Sequence, residues 1–369
     1  MTGGDGFGMT ERQAMRRALM LARRGWGRVA PNPMVGAVVL RDGRVVGEGW
    51  HAVYGGPHAE VMALRAAGEA ARGATLVVTQ EPCAHAGKTP PCTEAIRAAG
   101  IRRVVYATAD PNPVAAGGAA VLRAAGLEVE GGLAEDAARA LNAPFFHRFG
   151  PEAWRPWVLL KLALSLDGRL TDAAGHSRWI TGPRARAAAH RLRAGVDAVL
   201  VGSGTALVDD PLLTARGRVR PRRPPVRVVW DRRLRLPPTA RLLATLDQAP
   251  VWILTDPAHH DPAARAALEA RGARLLPGAT LHEGLTSLRR EGIDSVLVEG
   301  GAALAGALLR EGFVDRLALF VAPRLLGPGG ADPFAALPDT PLDRAHPWRR
   351  RTLQPLDNDV LIVLDRPGS

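Results

Sequence analysis

The sequence predicts two α/β domains in tandem, and three observations carry that expectation. Short apolar strand patterns alternate with helical ones in both halves, the stretch APFFHRFGPEAWRPW from Ala143 to Trp157 interrupts the alternation with prolines and aromatics, and 369 residues suffice for two cores. The domains are expected at 9–147 and 158–366, joined by a linker at 148–157.

The Gly-rich start, MTGGDGFG, is expected to be disordered and to leave no room for a targeting segment. Thr10 and Gln13 have capping-box spacing, and Met15, Ala18, Leu19 and Ala22 follow at helical intervals, which predicts a helix from about Glu11 to Arg24. Met34 to Leu40 and Arg44 to Trp50 flank Asp42-Gly43, a hairpin signal. A helix from about His58 to Ala71, a strand Thr75 to Thr79, a helix Cys92 to Ala99, a strand Arg103 to Ala107 and a helix Gly118 to Ala125 then alternate. That order predicts a mostly parallel sheet between helices.

In the second half, strand runs appear at Val158 to Gly168, Asp197 to Gly202, Val226 to Asp231, Val251 to Thr255 and Ser295 to Gly301. Helices are expected near 183–194, 262–271 and 301–310, and the Pro/Arg run Arg216 to Pro225 reads as a surface loop. No period of solenoid length repeats.

With 47% hydrophobic and 23% charged residues, the chain reads as an ordinary soluble protein, and no apolar run is long enough to span a membrane. A net charge of +12 invites a nucleic-acid partner. Against that, the arginines are scattered among alanines, prolines and glycines, and Lys88 and Lys161 are the only lysines. The expected partner is a small phosphorylated molecule, with neither nucleic acid nor membrane involved.

Both cysteines, Cys83 and Cys92, fall in EPCAHAGKTPPC, some two dozen residues after His58-Ala59-Glu60. They could be small buried residues, since a lone thiol packs like a hydrophobe. Two soft sulfurs and one imidazole are also the count for a catalytic zinc that keeps its fourth position for water, making His58, Cys83 and Cys92 the candidate ligands. Two cysteines do not make a disulfide framework, so a reducing cytoplasmic home is expected. Glu60 is the candidate proton carrier, which requires His58 at the frayed start of its helix because positions two apart on a helix diverge. A metal and a helix N-terminus are both expected to lower the Cys92 pKa. His51 and His85 are rival ligands, read here as substrate contacts or loop residues.

Gly87-Lys88-Thr89 ends like a phosphate-binding loop, but the motif's first glycine falls at Pro82. Gly202-Ser203-Gly204 opens like a dinucleotide fingerprint whose third glycine falls at Leu207. Glu299-Gly300-Gly301, between a strand and a helix, is either an anion site of backbone amides or a packing turn. Lys161, mid-strand among apolar residues, either serves the substrate or snorkels to solvent.

His58-Ala59-Glu60 with Glu81-Pro82-Cys83 and Pro90-Pro91-Cys92 resembles the zinc deaminase superfamily. The eight residues between the cysteines, Pro31-Asn32-Pro33 upstream and Asp110-Pro111-Asn112-Pro113 downstream are similar to the bifunctional riboflavin-biosynthesis deaminase-reductases. The resemblance implies a cytidine-deaminase-like α/β/α domain that uses zinc to remove the 2-amino group of a diaminopyrimidinone carrying a phosphoribosylamino group, with Glu60 moving the proton. Asn32 would hold substrate or simply turn the chain between two prolines.

Lys161 to Arg169, Ser177 to Thr181 and the segment from Thr205 through Asp209 to Arg216 resemble the reductase half of that family, whose fold is similar to dihydrofolate reductase. The resemblance implies that NADPH reduces the ribosyl group to ribityl. It places Ala163, Trp179, Thr205, Asp209 and the turn Gly301, Ala302, Ala303, Leu304, Ala305, Gly306 and Ala307 against NADPH. It places Ser177, Arg193, Leu213, Arg216 and Glu299 against substrate, with Arg193 and Arg216 as two-pronged partners for phosphate. Lys161 would anchor the substrate or help open its sugar ring, near Asp209 or Glu299. Leu164 and Arg232 depart from the pattern. A homo-oligomer, dimer or tetramer, is expected; a deaminase of nucleic acid or of another pyrimidine, with a non-catalytic C-terminal half, is the competing reading.

Overall fold

The computed structural model describes residues 8–86, 90–345 and 347–367; the first seven residues and Gly87-Lys88-Thr89 lie outside that set. The chain divides into compact units at 1–151 and 152–369.

In the first unit, α1 (Glu11–Ala22) begins at the anticipated capping box, in which the Gln13 amide donates to Thr10 Oγ1 and the Thr10 amide to Gln13 Oε1. Strands β1 (Gly36–Arg41) and β2 (Arg44–Trp50) form the hairpin. Its two turn residues, Asp42 and Gly43, have φ of 49° and 71°, the left-handed pair that a two-residue hairpin requires. There follow α2 (Ala59–Ala67), β3 (Thr75–Val78), α3 (Cys92–Ala98), β4 (Arg103–Tyr106), α4 (Gly118–Ala124), β5 (Glu128–Gly131), α5 (Glu135–Leu141) and α6 (Ala143–His147). The last of these occupies part of the stretch that looked irregular in sequence.

The sheet order among the described residues is β2-β1-β3-β4-β5. It is mixed, which corrects the expectation of a mostly parallel sheet: β1 runs antiparallel to both neighbours, and only β3-β4-β5 are parallel. Alternation along the strands builds two cores. Val38, Val77 and Val105 face α1 and α5, while Val39, Leu76, Val78 and Val104 face α2, α3 and α4. The unit is thus an α/β/α sandwich.

The second unit contains β6 (Trp157–Ser165), α7 (Pro183–Arg193), β7 (Ala198–Gly202), α8 (Ser203–Asp209), β8 (Val226–Trp230), β9 (Val251–Thr255), α9 (Pro262–Ala270), β10 (Arg274–Pro277), α10 (Leu281–Arg290), β11 (Ser295–Glu299), α11 (Ala302–Arg310), β12 (Arg316–Ala322), β13 (Arg349–Leu356) and β14 (Asp359–Asp365). Among the described residues the sheet runs β10-β9-β8-β7-β11-β6-β12-β14-β13. It is parallel from β10 to β12, and β14 and β13 are added antiparallel. Val158, Leu160, Leu162 and Leu164 of β6 enter one core with α10 and α11. The bulk at Leu164 is absorbed there, since it is 4% exposed. Lys161 and Ala163 alternate to the opposite, partly open face.

Candidate active sites

In the first unit two close approaches fix the site. A Cβ on Gly49 would lie 2.4 Å from both Ala59 O and Ala63 N, so only glycine lets α2 rest on β2. A Cβ on Gly118 would meet Pro82 O at 1.7 Å, so α4 likewise abuts the Glu81-Pro82-Cys83 loop. Glu81 ties that loop down: its carboxylate accepts from the Asp110 and Ala119 amides at 3.2 and 2.9 Å.

His58 is the N-cap of α2, with extended φ and ψ of −72° and 162°, so its imidazole leaves the helix path. Its Nδ1 lies 3.2 Å from Cys92 Sγ and 3.5 Å from Cys83 Sγ, and the three donor atoms are within 4.8 Å of one another. A tetrahedral zinc with bonds of about 2.0–2.3 Å spaces such donors about 3.5–3.8 Å apart, so the set fits this ion in both chemistry and spacing. With the protein's own groups acting, the lowering falls on Cys83. A hydrogen bond from Cys92 holds the Cys83 thiol down to about 4, while that same contact and burial push the Cys92 thiol up.

Glu60, in the first turn of α2, is 4% exposed. Burial pushes its carboxyl up, against the pull of His58, toward the range in which a carboxyl can both take and give a proton. His51 is engaged elsewhere: Nδ1 donates to Pro57 O at 3.1 Å, leaving Nε2 to face Asn32 Nδ2 at 3.4 Å. Burial holds its pKa down, which matches this neutral form. His58, Glu60, Cys83, His51 and Asn32, with His85, Gln80, Asp110 and Asn112, line one cavity of about 210 Å3. Glu81 entered the sequence reading only as part of the Glu81-Pro82-Cys83 motif, without the anchoring role that its two accepted hydrogen bonds show.

In the second unit Lys161 and Glu299 are register partners on neighbouring parallel strands, with Nζ 3.9 Å from Oε2. Arg193 grips the same carboxylate through Nε and Nη2 at 2.5 and 2.9 Å and donates from Nη1 to Thr214 O. The two-pronged fork expected to meet a phosphate is therefore already directed at Glu299. Burial pushes the Glu299 carboxyl up, but Arg193 and Lys161 outweigh it and hold it at about 2. The Arg216 side chain is exposed, while its amide donates to His190 Nδ1. Leu213 is buried with φ of 51°.

Thr205 of α8 accepts from the Gly301 amide at 3.0 Å, joining the start of α11 to α8. Both helices follow adjacent strands, β7 and β11, at their carboxyl ends, where open α/β sheets bind nucleotides. Asp209 pairs with Ser177 Oγ at 3.3 Å and Arg178 Nε at 3.5 Å rather than with Lys161, so Glu299 is the acid beside the lysine. Trp179 is 63% exposed beneath the Arg186 guanidinium. Arg232 is exposed beside Asp256, whose amide donates to the Arg232 carbonyl.

Residues 9–108 match the model of the cytidine and deoxycytidylate deaminase zinc-binding region, and residues 156–362 match that of the RibD C-terminal domain. The riboflavin biosynthesis protein RibD of Aquifex aeolicus is 42% identical over 357 residues, covering 96% of this chain and 98% of its own. That of Escherichia coli is 43% identical over 335 residues, 86% of this chain and 89% of its own. Among solved structures, Acinetobacter baumannii RibD aligns with a TM-score of 0.82 at 40% identity, covering 96% of this chain and 98% of that one. A diaminohydroxyphosphoribosylaminopyrimidine deaminase/5-amino-6-(5-phosphoribosylamino)uracil reductase from Thermotoga maritima aligns at 0.81 and 37%, with the same coverage. Relatives this similar, matched along both units, establish that the chain belongs to the RibD family of riboflavin-biosynthesis deaminase-reductases.

Proposed function

We propose that the two reactions of the family are divided between the segments 9–147 and 158–366, with the site residues in the roles that follow. The chain hydrolytically deaminates 2,5-diamino-6-(5-phosphoribosylamino)pyrimidin-4(3H)-one and then reduces the ribosyl side chain, giving 5-amino-6-(5-phosphoribitylamino)uracil. Its cofactors are zinc and NADPH. The observation that carries the role assignment is the convergence of His58, Cys83 and buried Glu60 on one cavity, with Cys92 Sγ 3.2 Å from His58 Nδ1.

His58, Cys83 and Cys92 hold the zinc. The ion, when bound, makes a water acidic enough to lose a proton near neutral pH. Glu60 takes that proton and returns it to the leaving nitrogen, so that C–O forms, C–N breaks and ammonia departs. Its burial keeps bulk water from competing for the proton.

For the reduction, Ala163, Trp179, Thr205, Asp209 and the segment 301–307 position the nicotinamide nucleotide, which supplies the hydride when bound. Ser177, Arg193, Leu213, Arg216 and Glu299 contact the sugar phosphate. Arg216 brings the exposed cation, Leu213 contributes backbone, and Arg193 also orients the Glu299 carboxylate. Lys161 gives a proton to the ring oxygen as the sugar opens, and Glu299 fixes its ammonium on the open face of β6.

No described helix is long and apolar enough to cross a membrane. A cytoplasmic location is supported by the two thiols, neither of them in a disulfide. Assembly as a dimer or tetramer is supported by the edge strand β13, where Leu353 is 58% exposed; sedimentation velocity tests it. Mass analysis of the diaminopyrimidinone phosphate after incubation with and without NADPH tests both reactions. Without NADPH the mass rises by the one unit that exchange of NH2 for OH requires; with NADPH it gains a further two hydrogens. An unchanged mass in both arms rules the reading out.

A further inference from the structure

At the carboxyl end of β8 the chain turns through Asp231-Arg232-Arg233-Leu234-Arg235, so three arginines follow the strand. Asp231 organises that turn. It is buried, its carboxylate accepts from the Leu236 amide at 2.8 Å, and its carbonyl accepts from the Leu234 amide at 3.1 Å. Leu234, with φ of 50°, packs inward and leaves Arg233 and Arg235 outside.

Arg235 reaches from this turn to the neighbouring strand's connection. Its Nη2 donates to Ser203 Oγ at 2.7 Å and its Nε lies 4.0 Å from Asp231 Oδ1, yet its side chain is 56% exposed. Ser203 opens α8, two residues before the Thr205 hydroxyl that accepts from the Gly301 amide. Arg232 is placed differently, because Asp256 lies beside it and offsets its charge.

Strand order decides which end of a dinucleotide meets this arginine. β6, β11, β7 and β8 are consecutive neighbours, and the Lys161-Glu299 pair, at which the sugar is reduced, stands on β6 and β11. The nicotinamide belongs on that side. With the middle of the nucleotide at Thr205 and Gly301, the adenosine half is left the side of β8, one strand spacing of about 4.8 Å beyond β7. NADPH differs from NADH only by a phosphate on the 2′-oxygen of that half, and an arginine beside the adenosine ribose accommodates such a group in open α/β sheets.

We infer that Arg235 is the residue by which the reductase selects NADPH over NADH, its guanidinium pairing with the 2′-phosphate. The bond to Ser203 holds the fork across the start of α8, and the fork carries further N–H groups than the one that bond uses. Arg235 moves no proton and no hydride. Its contribution is to make the nucleotide that carries the extra phosphate bind more tightly than the one that lacks it.

This inference rests on the reductase reading above, and the experiment separates the two. R235Q and R235K, in the full chain, are compared with the unsubstituted protein in fluorescence titrations of NADPH and NADH and in displacement of NADPH by 2′,5′-ADP. R265Q, which removes one charge from the exposed side of α9, controls for charge alone. R235Q should bind NADPH and 2′,5′-ADP about 10- to 100-fold more weakly and NADH as before. R235K should fall between, since an ammonium keeps the charge without the fork, and R265Q should match the unsubstituted chain. If Arg235 merely steadied α8 through Ser203, both nucleotides would weaken equally. An equal loss, an unchanged NADPH affinity in R235Q, or the same loss in R265Q overturns the inference, as does an unsubstituted chain that binds the two nucleotides equally well; each leaves the reductase intact. If the unsubstituted chain binds neither nucleotide, the reductase reading itself has failed and this inference with it.

Discussion

Arg193 holds Glu299 by two parallel hydrogen bonds, at 2.5 and 2.9 Å, although 106 residues separate them. Both side chains are largely buried, at 13% and 12% exposure, so neither charge has water to fall back on. The pair orients a carboxylate that also faces Lys161, linking α7, β11 and β6 in one charged cluster.

The pair sets a pH dependence of stability. The Glu299 carboxyl falls from an ordinary 4.5 to about 2, so it is ionised in the folded chain at pH values where the unfolded chain binds a proton. The stabilisation is complete above about pH 4.5 and is lost as pH falls toward about 2; by linkage it is at most about 3 kcal/mol. Glu299→Gln leaves the Arg193 charge without its counterion. Its melting temperature should lie below that of the unsubstituted chain at neutral pH, with the gap closing between pH 4.5 and 2. A gap independent of pH would contradict this account.

Glu60→Gln preserves volume and hydrogen bonding but removes the proposed proton carrier. Deamination should fall by about 10²- to 10⁴-fold, the usual worth of general acid-base catalysis. Metal analysis should still find close to one zinc per chain, because the three proposed ligands, His58, Cys83 and Cys92, are untouched. Loss of the ion in this variant would instead make Glu60 a ligand.

Cys83→Ser and Cys92→Ser should lose zinc and deamination together, since a hydroxyl is a poor replacement for a thiolate on this ion. Reduction of already deaminated substrate should persist in both. Metal content and the two rates, measured on one preparation, check the outcome.

Gly49→Ala tests how α2 is seated. The added Cβ would press on backbone atoms of Ala59 and Ala63, which cannot turn aside as a flexible side chain can. The helix must shift, at a cost of about 1–3 kcal/mol. Because His58 and Glu60 ride on the start of that helix, deamination should fall more than reduction, and thermal melting should show the loss.

The cluster proposed to hold zinc was legible because the chemistry demands particular atoms, and His58, Cys83 and Cys92, which the structure brings together, supply them in recognisable spacing beside Glu60. The β1–β2 turn was legible for a similar reason, since Asp42-Gly43 tolerates the left-handed backbone. Strand direction was not. The hairpin signal sets β1 against β2, but β1 is a nearly continuous buried run whose direction against β3 is not written in its residues, and that pairing proves antiparallel. The apolar run of β12 lacks a period that separates strand from helix, and β13 is largely polar and exposed, so neither stood out. Partnerships such as Arg193 with Glu299 depend on which elements become neighbours, and the sequence lists side chains without their distances.

Lys161→Met tests the reductase role on the strand itself. Methionine matches the length of the lysine stem and suits a strand whose alternate residues are core leucines, so the fold should tolerate it. The position lies on the face shared with Ala163, on the side away from Leu160 and Leu162. Removing the ammonium takes away the proposed proton donor and leaves the start of α11 and its Thr205 contact intact. NADPH should therefore bind with unchanged affinity, while its oxidation in the presence of deaminated substrate falls by about 10²-fold or more. Glu299 retains Arg193, so the melting temperature should change little. Fluorescence titration of NADPH and single-turnover oxidation distinguish the two contributions. Weakened NADPH binding with an unaltered rate at saturation would move Lys161 from chemistry to cofactor binding.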